Sequence, residues 1–194
     1  MCHKKHDLTE NEKKAIIYIV NMDEVCILSR VFETLRAVCE KSRIETASRY
    51  IQHGDTSCLL HMIAVAYYSD RTAGILRLKR IHRRELIIGA LLHDYFLYDW
   101  HDGSKERRIH GFTHPGIALK NAGEDFKLSV IETDIIKKHM FPLTIIPPKY
   151  IESWIVCMVD KVCSLYETFG RNTYPSINYR LKKDYGELYE KLRR

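Results

Sequence analysis

The segment Glu85 to Trp100, ELIIGALLHDYFLYDW, constrains the chain most. Leu86, Ile87, Ala90, Leu91 and Leu92 spread apolar side chains over too wide an arc for a surface helix. Such a buried helix then ends on two polar side chains, His93 and Asp94. A buried carboxylate is costly unless it is paired or bound to a metal. The pair therefore reads either as part of a metal site or as a core histidine beside a capping aspartate.

Four other apolar, helix-like segments are interrupted in the same way. His61 lies in SCLLHMIAVA, His114 in GFTHPGIAL, His139 in IIKKHMFPL and Asp160 in WIVCMVDKVCSLYE. A buried histidine at position 61 either bonds a backbone carbonyl or holds a metal. His139 ends a helix, where the helix dipole also favours a histidine. Asp160 sits among Ile155, Val156, Met158, Val159 and Val162 and needs a cation. Lys161 points about 100° away round the helix, so a metal is the natural partner.

The order His…His-Asp…His…His…Asp resembles the HD-domain metal-dependent phosphohydrolase superfamily over about residues 50–170. The resemblance implies that His61, His93, Asp94 and Asp160 hold one metal. His114 and His139 match positions that hold a second metal in binuclear branches, with Asp94 bridging. It implies a catalytic role for His93 and Asp94, and two divalent ions drawn from Mn, Fe, Co, Ni or Zn, a choice that suits imidazole and carboxylate donors. Two such ions would lower the pKa of a water and clamp a phosphoryl group. The expected function is hydrolysis of a phosphate ester or anhydride in a nucleotide or related small molecule. Two alternatives stay open: a di-iron oxygenase on the same fold, and a nucleotide-sensing binding module. The family's HD-x-x-Lys lysine is replaced by Leu97, so the substrate-binding mode does not carry over directly.

Candidate substrate contacts are Lys105, Arg107 and His110 in the polar, glycine-punctuated stretch HDGSKERRIHGFT, and His53 before the helix that carries His61. Thr113 reads as a helix cap with Pro115 in the first turn, so only His114 is expected to begin that helix. Tyr95, Phe96, Tyr98 and Trp100 are expected to wall the pocket. The basic run from Arg71 to Arg84 reads as a solvated face.

The expected fold is all-α, a single domain of seven to nine helices over 1–194. Its core covers about 50–170, with N-terminal helices in 9–52 and a tail in 171–194 packed on it. Thr9 and Asp23 are expected to cap two separate helices, and Ser42 to Gln52 to form a third. Gly123 is a candidate stop and Pro147-Pro148 a candidate start for the helix through Phe169, with one last helix in the tail.

The net charge of +6 favours an anionic substrate, but no basic patch with interleaved aromatics points to specific nucleic-acid binding. The six cysteines form no CxxC pair and lie mostly in apolar segments, as in a reducing compartment. The polar first residues and the lack of a long apolar run lead to an expectation of cytoplasmic location without a membrane partner.

Overall fold

The computed structural model describes residues 10–100, 110–171 and 173–192. Among them it is an all-α bundle. In chain order come α1 (Glu10–Cys39), a 3-10 helix (Ile44–Arg49), the strands β1 (Ile51–His53) and β2 (Thr56–Ser57), α2 (Cys58–Ile75), α3 (Arg83–Leu92), α4 (His110–Asp125), α5 (Val130–Lys138), α6 (Ile151–Phe169), α7 (Pro175–Asp184) and α8 (Gly186–Leu192). Helix α2 is central and packs on α3 and α6, while α5 bridges α3, α4 and α6. No described helix is long and apolar enough to cross a membrane.

Helix α2 is central because almost its whole circumference is apolar. Leu59, Met62, Ile63, Ala64, Val65 and Ala66 are all buried. Its start is set by Ser57, whose side chain accepts from the Leu60 amide at 3.2 Å. Glycine brings α3 against α5: a Cβ at Gly89 would collide with the Ile135 side chain. That approach places the ends of both helices, and so His93 and His139, side by side.

Several expected boundaries move. Helix α1 runs through Asp23 without a break, because an aspartate inside a helix costs well under about 1 kcal/mol and no Gly or Pro interrupts the run. Thr9 lies outside the described residues. Residues 42–52 give a 3-10 helix and β1 rather than a third α-helix. The antiparallel β1–β2 pair turns at Gly54, whose φ of +58° suits glycine and whose missing side chain makes room for the Glu167 carbonyl. Helix α3 stops at Leu92, before the aromatic run, and Leu97 takes a positive φ of 57°.

Helix α4 begins at His110, so Thr113, His114 and Pro115 are all inside it. Pro115 removes a single backbone bond near the helix start, which the fold tolerates. The same helix passes Gly123 and ends at Asp125, an isolated glycine costing only about 1 kcal/mol. Ser129 and Glu132 form a capping box on α5. Helix α6 starts at Ile151, three residues after Pro148. The carboxylate of Asp134, on α5, accepts from the Lys149 and Tyr150 amides there at 2.8 and 3.4 Å. The tail forms two helices, broken at Tyr185.

Arg83 is not simply solvated. It and Arg30 hold the two oxygens of Asp70, a fully buried carboxylate on α2, so one acid ties α1, α2 and α3 together.

Candidate metal centre

Six side chains from five places in the fold meet at one point. His61 comes from α2, His93 and Asp94 from the end of α3, His114 from α4, His139 from the end of α5 and Asp160 from the middle of α6. All six are buried. The histidines all present Nε2 to the centre, and each Nδ1 is occupied by an acceptor. His93 Nδ1 donates to Ala90 O at 2.7 Å, His114 Nδ1 to His110 O at 2.9 Å and His139 Nδ1 to Ile136 O at 2.8 Å. His61 Nδ1 faces both oxygens of Glu167 at 2.9 Å. Carbonyls and carboxylates only accept, so each Nδ1 carries a proton, and Nε2 is the nitrogen that a neutral ring offers to a metal. This is the arrangement of metal-bound imidazoles.

Asp94 divides the cluster in two. Its Oδ2 lies 3.5 Å from His93 Nε2 and 3.7 Å from His61 Nε2, and its Oδ1 lies 3.2 Å from His114 Nε2 and 3.5 Å from His139 Nε2. Asp160 Oδ1 faces the first half, 3.2 Å from His61 Nε2 and 3.6 Å from His93 Nε2. Atoms each about 2.1 Å from one ion stand roughly 3–3.5 Å apart, so this spacing suits shared coordination. Three overlapping groups of donors could each hold an ion: His61, His93 and Asp94; His93, His139 and Asp160; and Asp94, His114 and His139.

Two further observations favour a cation. His93 Nε2 and Asp94 Oδ1 are buried without a hydrogen-bond partner among the described residues. His114 Nε2 and His139 Nε2 stand 2.8 Å apart although both Nδ1 atoms are already donors. Two bare lone pairs at that distance repel unless a metal or a proton lies beside them. The donors are imidazole nitrogen and carboxylate oxygen, which fits Mn, Fe, Co, Ni or Zn.

The charges respond to each other. Burial pulls the His61 imidazole down, but the hydrogen bonds of Asp160 and Glu167 outweigh it and push its pKa up to about 10. His93 is also raised, its burial being overcome chiefly by Asp94 and Asp160. Burial lowers His139. Asp94 and Asp160 are held well below the usual carboxylate range. Burial opposes this, and the surrounding histidines overcome it.

Asp94, His114, His139 and Asp160 form the floor of a cavity of about 710 Å³, a size that suits a small ligand. His53 lines it beside Gln52, and its ring stands 5.8 Å from that of His61. His110 lines it as well. Sharing a helix with His114 puts the two rings in a stack 4.5 Å apart, with Trp100 stacked on the other face of His110 at 5.0 Å. Tyr98 Oη lies 2.9 Å from His110 Nδ1, and Phe96 packs against His110 and His114. Tyr95 is not a pocket wall. It is buried behind the site, where its hydroxyl donates to Asp125 and accepts from the Arg43 amide. Lys105 and Arg107 lie outside the described residues. Among the described residues, Lys161 is the lysine or arginine that lines the cavity, and its Nζ donates to His139 O at 2.8 Å and Cys157 O at 3.2 Å.

Three supporting residues escape the sequence reading. Gln52 donates from Nε2 to Asp94 Oδ2 at 2.6 Å and accepts from Cys58 Sγ at 3.1 Å, which fixes that carboxylate. Glu167 orients His61, and Tyr174 donates to Glu167 Oε1 at 2.8 Å. A signal for Glu167 exists: it follows Asp160 by seven residues and so shares its helix face. Gln52 has a weaker one, because β1 turns Ile51 outward and Gln52 inward, against the hydrophobic pattern.

No family model matches this chain, and no curated protein or solved structure matches it either, which leaves the donor geometry as the ground for a functional reading.

Proposed function

We propose that the chain is a metal-dependent phosphohydrolase of the HD type, acting on a phosphate ester or anhydride of a nucleotide or related small molecule. The observation that carries this reading is Asp94. Its two oxygens face two separate pairs of Nε2 atoms at 3.2–3.7 Å, on the floor of an open cavity. Bound divalent ions would supply a water of lowered pKa and neutralise a phosphoryl group.

The remaining work falls to the chain. Gln52 holds the Asp94 carboxylate between the two pairs of histidines, and Glu167 fixes the His61 ring with Nε2 inward. The backbone acceptors of α3, α4 and α5 do the same for His93, His114 and His139. Lys161 brings positive charge to the cavity wall beside an anionic substrate. His53 and His110 line the space a substrate would fill. Trp100, Leu143 and Leu165 supply apolar walls that limit water.

The test is metal analysis of protein purified without chelator, joined to a panel of nucleotides and phosphoesters, with Asp94→Ala as control. Bound metal and hydrolysis that Asp94→Ala abolishes are expected. Retained hydrolysis in that variant would sink the reading. The same donor set suits iron, so a coloured preparation with a di-iron EPR signal and no phosphohydrolysis would favour an oxygenase instead.

A further inference from the structure

The outer face of α6 carries no charge. Its exposed positions are all apolar or aromatic except Thr168. Six of them, Ile151, Trp154, Met158, Val162, Tyr166 and Phe169, fall within a stripe about 120° wide at 3.6 residues per turn. Leu165 lies within it as well. Exposure is high, from 37 % at Trp154 to 84 % at Phe169. Isolated apolar residues on a surface are ordinary, but a contiguous strip along a whole helix marks an interaction surface.

The spacing of the strip identifies its occupant. Leu165 apart, the steps from Ile151 to Phe169 are 3, 4, 4, 4 and 3 residues, and they read the same in both directions. Reversal about position 160 exchanges Ile151 with Phe169, Trp154 with Tyr166 and Met158 with Val162. Asp160 itself points to the opposite side of the helix, into the metal cluster. A two-fold interface requires this self-complementarity, since residue i must meet residue j while j meets i.

The area is also sufficient. With large apolar side chains presenting on the order of 200 Å² each when free, the seven residues leave roughly 800 Å² open. That is about what one partner contributes to a stable interface of standard size. No ionised side chain among the fully exposed positions of the helix opposes a second copy.

We infer that α6 is the dimer interface of this protein, pairing antiparallel with α6 of a second copy about a two-fold axis at the level of Asp160. Leu165 lines the cavity as well as the strip, so the second copy sits beside the cavity mouth.

Sedimentation of the full chain tests this. At about 50 µM, above the micromolar Kd of the weakest interfaces of this size, the mass is expected to be twice 22.9 kDa. Met158→Glu/Val162→Glu is expected to give the monomer with unchanged helical circular dichroism and metal content, because both side chains are exposed. Trp154→Cys/Tyr166→Cys is expected to oxidise to a covalent dimer linked from 154 to 166, which Trp154→Cys alone does not form. A monomer throughout, a dimer that survives Met158→Glu/Val162→Glu, or a link from 154 to 154 overturns the inference. So does a monomer that sediments with phosphatidylcholine vesicles, which assigns the strip to a membrane surface.

Discussion

His61 is held by carboxylates at both ring nitrogens, with Glu167 2.9 Å from Nδ1 and Asp160 3.2 Å from Nε2. The two acids play different parts. Asp160 faces the cluster, whereas Glu167 lies behind the ring and is fully buried. Glu167→Gln keeps an acceptor but loses the charge that fixes the tautomer. It is expected to weaken metal binding about 10- to 100-fold while the helices stay folded. Competition with a chelator of known affinity measures this, and unchanged affinity would show that Glu167 does not orient a ligand.

The same two acids set a pH response. The His61 pKa is raised from 6.5 to about 10, so in metal-free protein its stabilisation is full below 6.5 and is lost as pH rises through about 10. Asp160 is depressed below 3.8, so its stabilisation is present above 3.8 and is lost as pH falls through its lower folded value. Metal-free protein is expected to melt highest between these limits and lower on both sides. Metal must displace the His61 proton, so affinity should rise about tenfold per pH unit for one proton. Melting in EDTA across pH 3–10 and metal titration at three pH values check both. A flat melting curve from 6.5 to 10 together with pH-independent affinity would contradict the assignment.

Asp70 is a buried acid with a structural task. Arg30 holds its Oδ2 through Nε at 3.1 Å and Nη2 at 2.5 Å, and Arg83 holds its Oδ1. Breaking a fully buried pair costs about 3–5 kcal/mol, but both arginines keep more than a third of their side-chain surface exposed and can rehydrate. Asp70→Ala is therefore expected to cost about 2 kcal/mol, or a melting temperature about 4–8 °C lower for a chain of this length. Metal content should not change, because Asp70 is absent from the metal-capable groups. A change in metal stoichiometry without loss of stability would contradict this structural role.

The all-α class and the convergence of six side chains are legible in the chain because His61, His93, Asp94 and Asp160 interrupt apolar runs, where an uncompensated polar group is costly. Helix joins are not legible, since Asp23 at a would-be boundary and Gly123 inside α4 each change the local energy by no more than about 1 kcal/mol. Tertiary packing decides such cases. Residues 42–52 become a 3-10 helix and a strand because the hairpin at Gly54 docks on the end of α6. The start of α4 is misread for a related reason. Pro115 looks like a first-turn residue, yet α4 absorbs it and thereby stacks His110 on His114. Gln52 and Glu167 are hidden because their partners, Asp94 and His61, lie 42 and 106 residues away in sequence.

The last prediction concerns the number of metals. His61, His93, Asp94 and Asp160 complete a site by themselves, so His114 and His139 could be buried histidines with no further role. Their geometry argues otherwise. Both rings turn Nε2 toward Asp94 Oδ1, the oxygen left without a hydrogen bond, and the two Nε2 atoms stand 2.8 Å apart. A histidine that only bonds its own helix backbone has no reason to face a second bare imidazole nitrogen. A cation between them and Asp94 relieves the repulsion, but two imidazoles and one oxygen of a shared carboxylate make a weaker site than the first. Apo-protein is therefore expected to titrate in two steps, the second released first by dilute chelator. His114→Ala/His139→Ala should keep only the tight step, and Asp94→Ala should weaken both, because it removes the carboxylate whose two oxygens serve the two halves. Equal stoichiometry in the wild-type protein and the histidine double variant would mean that these two side chains are not ligands and that the centre holds one metal.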